Sequence, residues 1–282
     1  ELFVRLVSKH GIKMKAAVYT KYGQPDVVQI KQVDMPVPNE NEVLIKVFAS
    51  TVNRTDCGFR KPEYPVIIRP IHGLFKPKKE ILGSEFAGVV DSVGKDVKLF
   101  KNGDRVFGLT GNNFGAHAEY LCLSESGAIA IMPDNISFDE AAAVNDGVML
   151  ALNYLRKINI QPGHKILIYG ASGSIGTAGV QLAKYFGANV TAVCNTKNID
   201  IVKSLGTDKV VDYAKEDFTK LNQTFDFVFD AVGKTSFFKT KHLLKKGGIY
   251  FSTELGFLAQ NLFLALFKIK IDGKKIIFAV AK

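Results

Sequence analysis

The amino-acid sequence predicts an α/β protein in two parts, an all-β region followed by a doubly wound parallel sheet. Three observations carry that prediction. Residues 14–133 alternate short runs of β-branched and aromatic residues with Gly, Asp, Asn and Pro. From Pro133 onward, short apolar strands alternate with helical stretches, the pattern of a parallel sheet covered on both faces. The chain has 282 residues, about twice a usual domain, and 47% of them are apolar, enough for two cores.

The elements follow in order. ELFVRLVSKHGIK precedes MKAAVYTKYG, which reads as a natural start. Residues 1–13 are therefore expected to be an upstream extension, expression-vector residues or a presequence remnant. KAAVYT, VVQIKQV, EVLIKVFAS, FAGVVDSVG, DRVFGLT and AHAEYLCL are the expected strands of the first domain, 14–133. Residues 60–81 are basic and broken by prolines, and are expected as a loop over that β core, forming one wall of a pocket. Ser137 with Glu140 three residues on is a capping box, and predicts one helix to about Lys157. The second domain, 134–282, then carries KILIYG, NVTAVC, KVVDY, FDFVFDAVG, GGIYFSTE and KKIIFAV as strands, with helices between them ended by Gly187 and Gly206.

Bulk properties narrow the function classes. The net charge is +10, but the lysines are spread along the chain. A solvated lysine-rich surface accounts for the charge without a nucleic-acid partner. Cys57, Cys122 and Cys194 lie far apart, with neither C-x-x-C nor zinc-ribbon spacing. Free thiols of this kind predict a cytoplasmic protein. The longest apolar run, 255–268, is too short for a bilayer and carries Gln260 and Asn261, so no membrane partner is expected. It is either a homodimer surface or a helix packed on its own domain.

The densest signal is GASGSIG, residues 170–176, between a strand and a helix. A Rossmann dinucleotide site requires that context. Gly170 would allow the tight turn, Gly173 a close pyrophosphate, and Gly176 close helix packing. Ala171, Ser172, Ser174 and Ile175 complete the loop, and the free N–H groups of the helix start favour phosphate. The next strand ends in Cys194-Asn195-Thr196-Lys197-Asn198, with no carboxylate before Asp200. Asn195, Thr196 and Lys197 can donate to a 2′-phosphate, so NADPH is expected in preference to NADH. Otherwise these residues cap the following helix.

GSEFAGVVDSVGKDVKLFKNGDRVFG (83–108), GAHAEY (115–120), GASGSIG (170–176) and FDAVG (229–233) follow one another in an order that resembles the medium-chain dehydrogenase/reductase superfamily. The chain is most similar to its zinc-independent quinone-oxidoreductase branch, the zeta-crystallin-like proteins. The resemblance implies a GroES-like β-barrel substrate domain followed by a Rossmann domain. It also implies that about fifty further residues return to the first domain as a helix and closing strand, a segment expected to be missing here. Alcohol dehydrogenases of the superfamily hold catalytic zinc with two cysteines and a histidine. The resemblance puts Asn53, Ser84 and residues 145–147 at those positions; Asn and Ser do not replace the ligands, and 145–147 holds no cysteine. No metal is expected.

Without a Lewis acid, the expected reaction is hydride transfer from NADPH to a quinone or α,β-unsaturated carbonyl, whose conjugation spreads the developing charge. The resemblance places Asn53 beside the nicotinamide as the candidate donor to that charge; otherwise it makes turn hydrogen bonds. Tyr64 is a second candidate donor or a pocket wall. Asp56 is expected to hold a loop rather than act as a base. Tyr213 would pack on the adenine, or in the core. Val232 and Gly233 would approach the cofactor at the carboxyl edge of the sheet. At 145–151 the relatives' threonine is replaced by Leu150, which bears on nicotinamide placement. The alternatives are a zinc-type alcohol dehydrogenase relative, or a non-catalytic NADPH-binding protein with or without RNA binding. A short-chain reductase would need Y-x-x-x-K, and no tyrosine here has that partner.

Overall fold

The computed structural model describes residues 11–62, 72–253, 260–267 and 270–278. The chain divides into two compact units, 1–145 and 146–282.

In the first unit, β1 (Lys13–Val18) and β2 (Gln29–Asp34) form an antiparallel hairpin. A five-stranded antiparallel sheet follows: β3 (Glu42–Ser50), β4 (Glu85–Val93), β5 (Arg105–Leu109), β6 (Tyr120–Ser124) and β7 (Ala128–Ile131), in the order β6-β3-β4-β5-β7. Bridges at Ala16–Ala118 and Val18–Ile81 tie β1 to segments beside that sheet. Val43, Ile45, Phe86, Val90, Val106 and Leu121 fill its core. At about 1.5–3 kcal/mol for each buried large apolar side chain, this cluster is a main source of the unit's stability. Strand β7 was not among the sequence expectations; its AIAI stretch is short and mostly exposed, so it shows no alternating pattern.

A helix also stands where the sequence suggested little helix. α1 (Arg54–Arg60) starts at Asn53, whose side chain accepts from Asp56 N while Asp56 accepts from Asn53 N. That reciprocal pair is a capping box, satisfying two donors that a helix start leaves unpaired.

The single helix expected from Ser137 to Lys157 is two helices, α2 (Phe138–Ala143) and α3 (Asn145–Lys157). Asn145 Nδ2 donates to the carbonyls of Ala141 at 2.8 Å and Ala142 at 3.1 Å, closing the end of α2. Ala141 and Ala142 bury against Ala87 and Met132, so α2 packs with the first unit. The first compact unit thus ends at Asn145.

The second unit holds a seven-stranded sheet. Its strands are β8 (Lys165–Tyr169), β9 (Asn189–Cys194), β10 (Lys209–Asp212), β11 (Phe225–Asp230), β12 (Leu244–Ser252), β13 (Lys270–Ile271) and β14 (Lys274–Ile277). The order is β10-β9-β8-β11-β12-β14-β13, all parallel except the β13–β14 hairpin. The six parallel strands keep the 3-2-1-4-5-6 order of a Rossmann sheet. α4 (Ser174–Tyr185), α5 (Ile199–Ser204), α6 (Phe237–Thr240) and α7 (Gln260–Leu266) complete the described helices. Strands are buried on both faces, with Leu167, Val193 and Val228 in one cluster and Ile166, Ile168, Val190 and Phe229 in the other. Of the apolar segment 255–268, the structure describes 260–267, where Leu264 and Ala265 pack on the unit's own core. Among the described residues no helix is long and apolar enough to cross a membrane.

Candidate functional site

The sheet's order reverses between β8 and β11, and the candidate residues of the second unit gather at the carboxyl ends there. Open α/β sheets bind ligands at such a switch point, because flanking helices leave in opposite directions and open a crevice. Gly170 and Ala171 both donate to the Val193 carbonyl, at 3.0 and 3.1 Å, so the turn is hung on β9 as it leaves β8. Gly170 takes φ +80°, a conformation that side chains with a Cβ rarely adopt. Gly173 caps α4 in extended conformation, with no side-chain hydrogen bond capping the helix start. The N–H groups of Ser174, Ile175 and Gly176 form the helix's first turn and have no carbonyl of an earlier turn to bond. Gly176 lies so close to the turn that a Cβ there would sit 2.1 Å from the Gly170 carbonyl oxygen.

Val232 packs over this turn: a Cβ at Gly170 would meet its Cγ1 at 2.6 Å. What holds Val232 and Gly233 is Asp230, fully buried at the end of β11. Its Oδ1 accepts from Val232 N at 3.2 Å and Gly233 N at 2.8 Å; its Oδ2 accepts from Thr235 N and from the Tyr250 hydroxyl, both at 3.1 Å. Burial pushes the Asp230 carboxyl above the ordinary aspartate range, against the pull of those four donors. Burial likewise raises Tyr250, with the neighbouring Asp230 charge adding to it. Sequence reasoning quoted FDAVG but passed over Asp230; the available signal was a carboxylate ending an otherwise apolar strand.

After β9, Asn195, Thr196 and Lys197 separate in role. The Thr196 hydroxyl donates to Asp212 Oδ2 at 2.6 Å and is committed there. This bond, more than any other, holds Asp212 below its ordinary range, with Ala214 N and Lys215 assisting against partial desolvation. Lys197 is exposed, and Asn195 Oδ1 is buried with no partner among the described residues. Neither Asn195 nor Asn198 makes a side-chain cap to the following helical turns. Instead Asn198 Nδ2 donates to Ser172 Oγ at 3.0 Å, pinning this segment to the glycine turn. Tyr213 N donates to the Cys194 carbonyl, and its ring is 48% exposed beside Tyr169, outside the core. Gly147 is a further residue that sequence reasoning missed: a Cβ there would lie 2.3 Å from Ser174 Oγ and 2.8 Å from Ser174 backbone. α3 therefore crosses the start of α4 closely, with Leu150 half-buried on it.

In the first unit, Asn53 lies in a polar network. Its Nδ2 donates to Ser84 Oγ at 2.8 Å and to Glu85 Oε2 at 3.0 Å. Glu85, 3% exposed, also accepts from the Thr51 hydroxyl. Asp56, equally buried, accepts from Gly83 N at 3.0 Å and faces His117 Nε2 at 3.9 Å, holding the loop before β4. Tyr64 lies outside the described residues. Among the described residues no three His, Cys, Asp or Glu side chains cluster closely enough to hold a metal ion.

These features define a class: a two-unit α/β protein with an antiparallel β unit and a Rossmann sheet carrying a glycine turn at its switch point. Residues 39–134 match the family described as Alcohol dehydrogenase GroES-like domain, and 174–277 that described as Zinc-binding dehydrogenase. The chain is 37% identical over 246 residues to 2-methylene-furan-3-one reductase of Solanum lycopersicum. It is 35% identical over 246 residues to the chloroplastic NADPH-dependent alkenal/one oxidoreductase of Arabidopsis thaliana. Each match covers 84% of this chain, which spans only 61% of either relative's length. It is 31% identical to the human mitochondrial NAD(P)H oxidoreductase RTN4IP1, over 90% of this chain and 69% of that one. The quinone oxidoreductase structure from Coxiella burnetii aligns with TM-score 0.85 and 27% identity, over 96% of this chain and 84% of that chain. The protein belongs to the medium-chain dehydrogenase/reductase superfamily, on its quinone-oxidoreductase side.

Proposed function

We propose that this protein is a zinc-independent, NADPH-dependent oxidoreductase that reduces a quinone or an α,β-unsaturated carbonyl. The observation that carries the reading is the switch-point site: an uncapped helix start behind Gly173, overlaid by the Val232–Gly233 loop that Asp230 holds. Family membership and the names of the relatives support it. The residues fit a dinucleotide. The first turn of α4 offers N–H groups to the phosphates, the orphan Asn195 Oδ1 suits a ribose hydroxyl, and Lys197 suits a 2′-phosphate. NADPH, when bound, supplies a hydride at its nicotinamide. The chain's own residues do the rest. Gly170–Gly176 orient the phosphates, Val232 and Gly233 border the turn, and the half-exposed Tyr213 ring offers a face to the adenine.

The donors of the first unit support zinc independence, since Asn53 and Ser84 bring an amide and a hydroxyl where zinc would need thiolate, imidazole or carboxylate. Conjugated acceptors suit such a site, because the charge spreads over carbon and oxygen without a Lewis acid. Free thiols at all three cysteines suit a reducing compartment such as the cytoplasm.

The test uses the full chain. NADPH and NADH are titrated by nicotinamide fluorescence, and absorbance is followed with a panel of quinones, enals, enones and simple aldehydes. The expected result is tighter NADPH than NADH binding, with turnover of conjugated acceptors only. Tight NADPH binding without turnover of any acceptor would leave a non-catalytic binder. Zinc-dependent alcohol oxidation would restore the zinc-type reading.

A further inference from the structure

We infer that the amino edge of the second unit's sheet is a docking surface for a bilayer of anionic phospholipid. The inference stands apart from the reductase reading, and a peripheral contact needs no spanning helix. The charge is divided unevenly between the units. Residues 146–282 carry 19 Lys and Arg against ten Asp and Glu; residues 1–145 carry 18 against 17. Nine of the ten net positive charges therefore belong to the second unit. Along the sequence its lysines are spread, but the parallel topology gathers them. Parallel strands all start on one edge, here the edge opposite the glycine turn.

Lys209 opens β10, Lys165 opens β8, Lys245 and Lys246 stand at the start of β12, and Lys274 and Lys275 open β14. With neighbouring strands ~4.8 Å apart, the seven-stranded row spans roughly 29 Å. α3 adds Arg156 and Lys157, where it ends just before β8. The carboxylates among these strand starts are already engaged. Asp208 takes Lys184 and Asp226 takes Lys245, both at 2.8 Å, and Asp272 takes Lys241 at 3.0 Å. Arg156, Lys157, Lys165, Lys209, Lys270 and Lys275 have no carboxylate partner among the described residues. A helix C-terminus favours cations on its own account, but a strand start has no such dipole. Lys270 and Lys275 stand directly opposite each other in the β13–β14 hairpin, a like-charge pairing that is destabilising alone and that an anion relieves.

Two cavities open on this edge. One of about 490 Å³ has Arg156 and Tyr185 in its wall. The other, of about 420 Å³, has Lys157, Lys270 and Lys275 alongside the apolar Ala265, Ile276 and Phe278. Each joins cations to apolar surface, the combination that suits a lipid phosphate and the acyl ester beneath it. Apolar side chains also protrude among the cations. α4 and α7 both run toward this edge and end on it; there Tyr185 is 83% exposed, Leu266 67% and Phe267 65%. Such groups gain by entering the headgroup layer of a bilayer, and the cations gain from its anionic lipids. A nucleic acid would meet the lysines but leave Leu266 in water, so the bilayer is the better match.

The experiment uses the full chain with vesicles of phosphatidylcholine, alone or mixed with phosphatidylserine. Co-sedimentation should occur with the mixed vesicles only, and should fade as salt rises. Lys157→Gln, Lys270→Gln and Lys275→Gln made together should weaken it about a hundredfold. The control is Lys197→Gln, Lys215→Gln and Lys234→Gln, the same loss of charge at the carboxyl edge of the same sheet. That edge is about 20 Å away, beyond the Debye length, so the control should stay within about threefold of wild type. A second readout needs neither charge variant to fold. The chain has no tryptophan, so Tyr185→Trp and Phe267→Trp, made singly, each supply one fluorescent reporter at the edge. Their emission should shift to the blue with mixed vesicles and not with phosphatidylcholine alone. Absence of co-sedimentation at low salt overturns the inference, as do equal losses in the two charge variants. Reporters that stay unshifted overturn it as well. Binding of single-stranded RNA through the same three lysines, with both reporters unmoved by vesicles, assigns the edge to nucleic acid instead.

Discussion

Two glycines of one turn should respond to the same substitution in opposite ways. Gly176→Ala puts a methyl 2.1 Å from the Gly170 carbonyl oxygen and 2.7 Å from Ala171 Cα. The nearest atoms are backbone, and the first contact is about 1.3 Å short of the 3.4 Å at which ordinary packing begins. Relief by moving the helix requires a shift close to the ~1.5 Å rise of one helical residue. That shift would unseat Ala178, Val180 and Ala183, which α4 buries. Overpacking of a rigid core costs about 1–3 kcal/mol, and a contact made with backbone belongs at the upper end. The unfolding transition of this unit should therefore fall by about 6–12 °C. Gly173→Ala is different. Its Cβ would be 3.6 Å from the nearest atom, and φ is −81°. The folded state accepts the methyl, and the reduced freedom of the unfolded chain can add about 0.5 kcal/mol. That methyl would, however, stand at the mouth of the helix start, so NADPH should bind at least about tenfold more weakly, or ~1.4 kcal/mol. The assays are thermal unfolding by circular dichroism and NADPH titration by fluorescence. Gly173→Ala binding like wild type would refute the phosphate cradle. Gly176→Ala melting like wild type would refute the close approach.

Other perturbations follow from the same geometry. Asp230→Asn turns an NH₂ toward Thr235 N or the Tyr250 hydroxyl and leaves a buried donor unpaired. Stability should fall by about 1–3 kcal/mol in urea unfolding, and NADPH should bind more weakly as the Val232–Gly233 loop loosens; unchanged values of both would remove Asp230 from its role. Lys197→Ala should weaken NADPH about tenfold and leave NADH within about twofold, as read by parallel titrations. Equal losses for the two nucleotides would count against a 2′-phosphate contact. Acid should destabilise the fold. Asp212 is held low chiefly by Thr196, and in Asp208 and Asp226 burial is outweighed by lysine and backbone donors. Groups with depressed folded values stabilise above the unfolded value of 3.8, and that stability is lost as pH falls through their folded values. Asp230 is raised and acts oppositely, its contribution lost as pH rises through its folded value, so it offsets part of the change. Urea unfolding between about pH 6 and 3 should show a net fall below about pH 4; stability that rises throughout that range would contradict it.

Much of the fold was legible in the residues because the signals were local. GASGSIG between an apolar strand and a helix marks the turn by residue type and local order alone. Six apolar runs with helices between them dictate a parallel sheet, since only covering both faces buries such strands. Asn53-x-x-Asp56 was equally local, but it was read as a candidate donor or turn residue followed by a loop-holding aspartate, not as a helix cap. The break at Val144 was hidden because α2 and α3 share one uninterrupted helical pattern, and each buries its face on a different core.

The sequence by itself determined the alternation of strands and helices in the second unit, the glycine turn and the absence of zinc-ligand side chains at Asn53 and Ser84. Each depends on residue type at a given position. Tertiary structure alone decided which polar groups remain available. It bound the Thr196 hydroxyl to Asp212, spent both Asn53 amide hydrogens on Ser84 and Glu85, and set four donors around Asp230. Hydrogen bonding is a matter of partners brought together from distant parts of the chain. A residue's capacity to donate can be read from its letter, but whether that capacity is already used is fixed only when the strands and loops around it close.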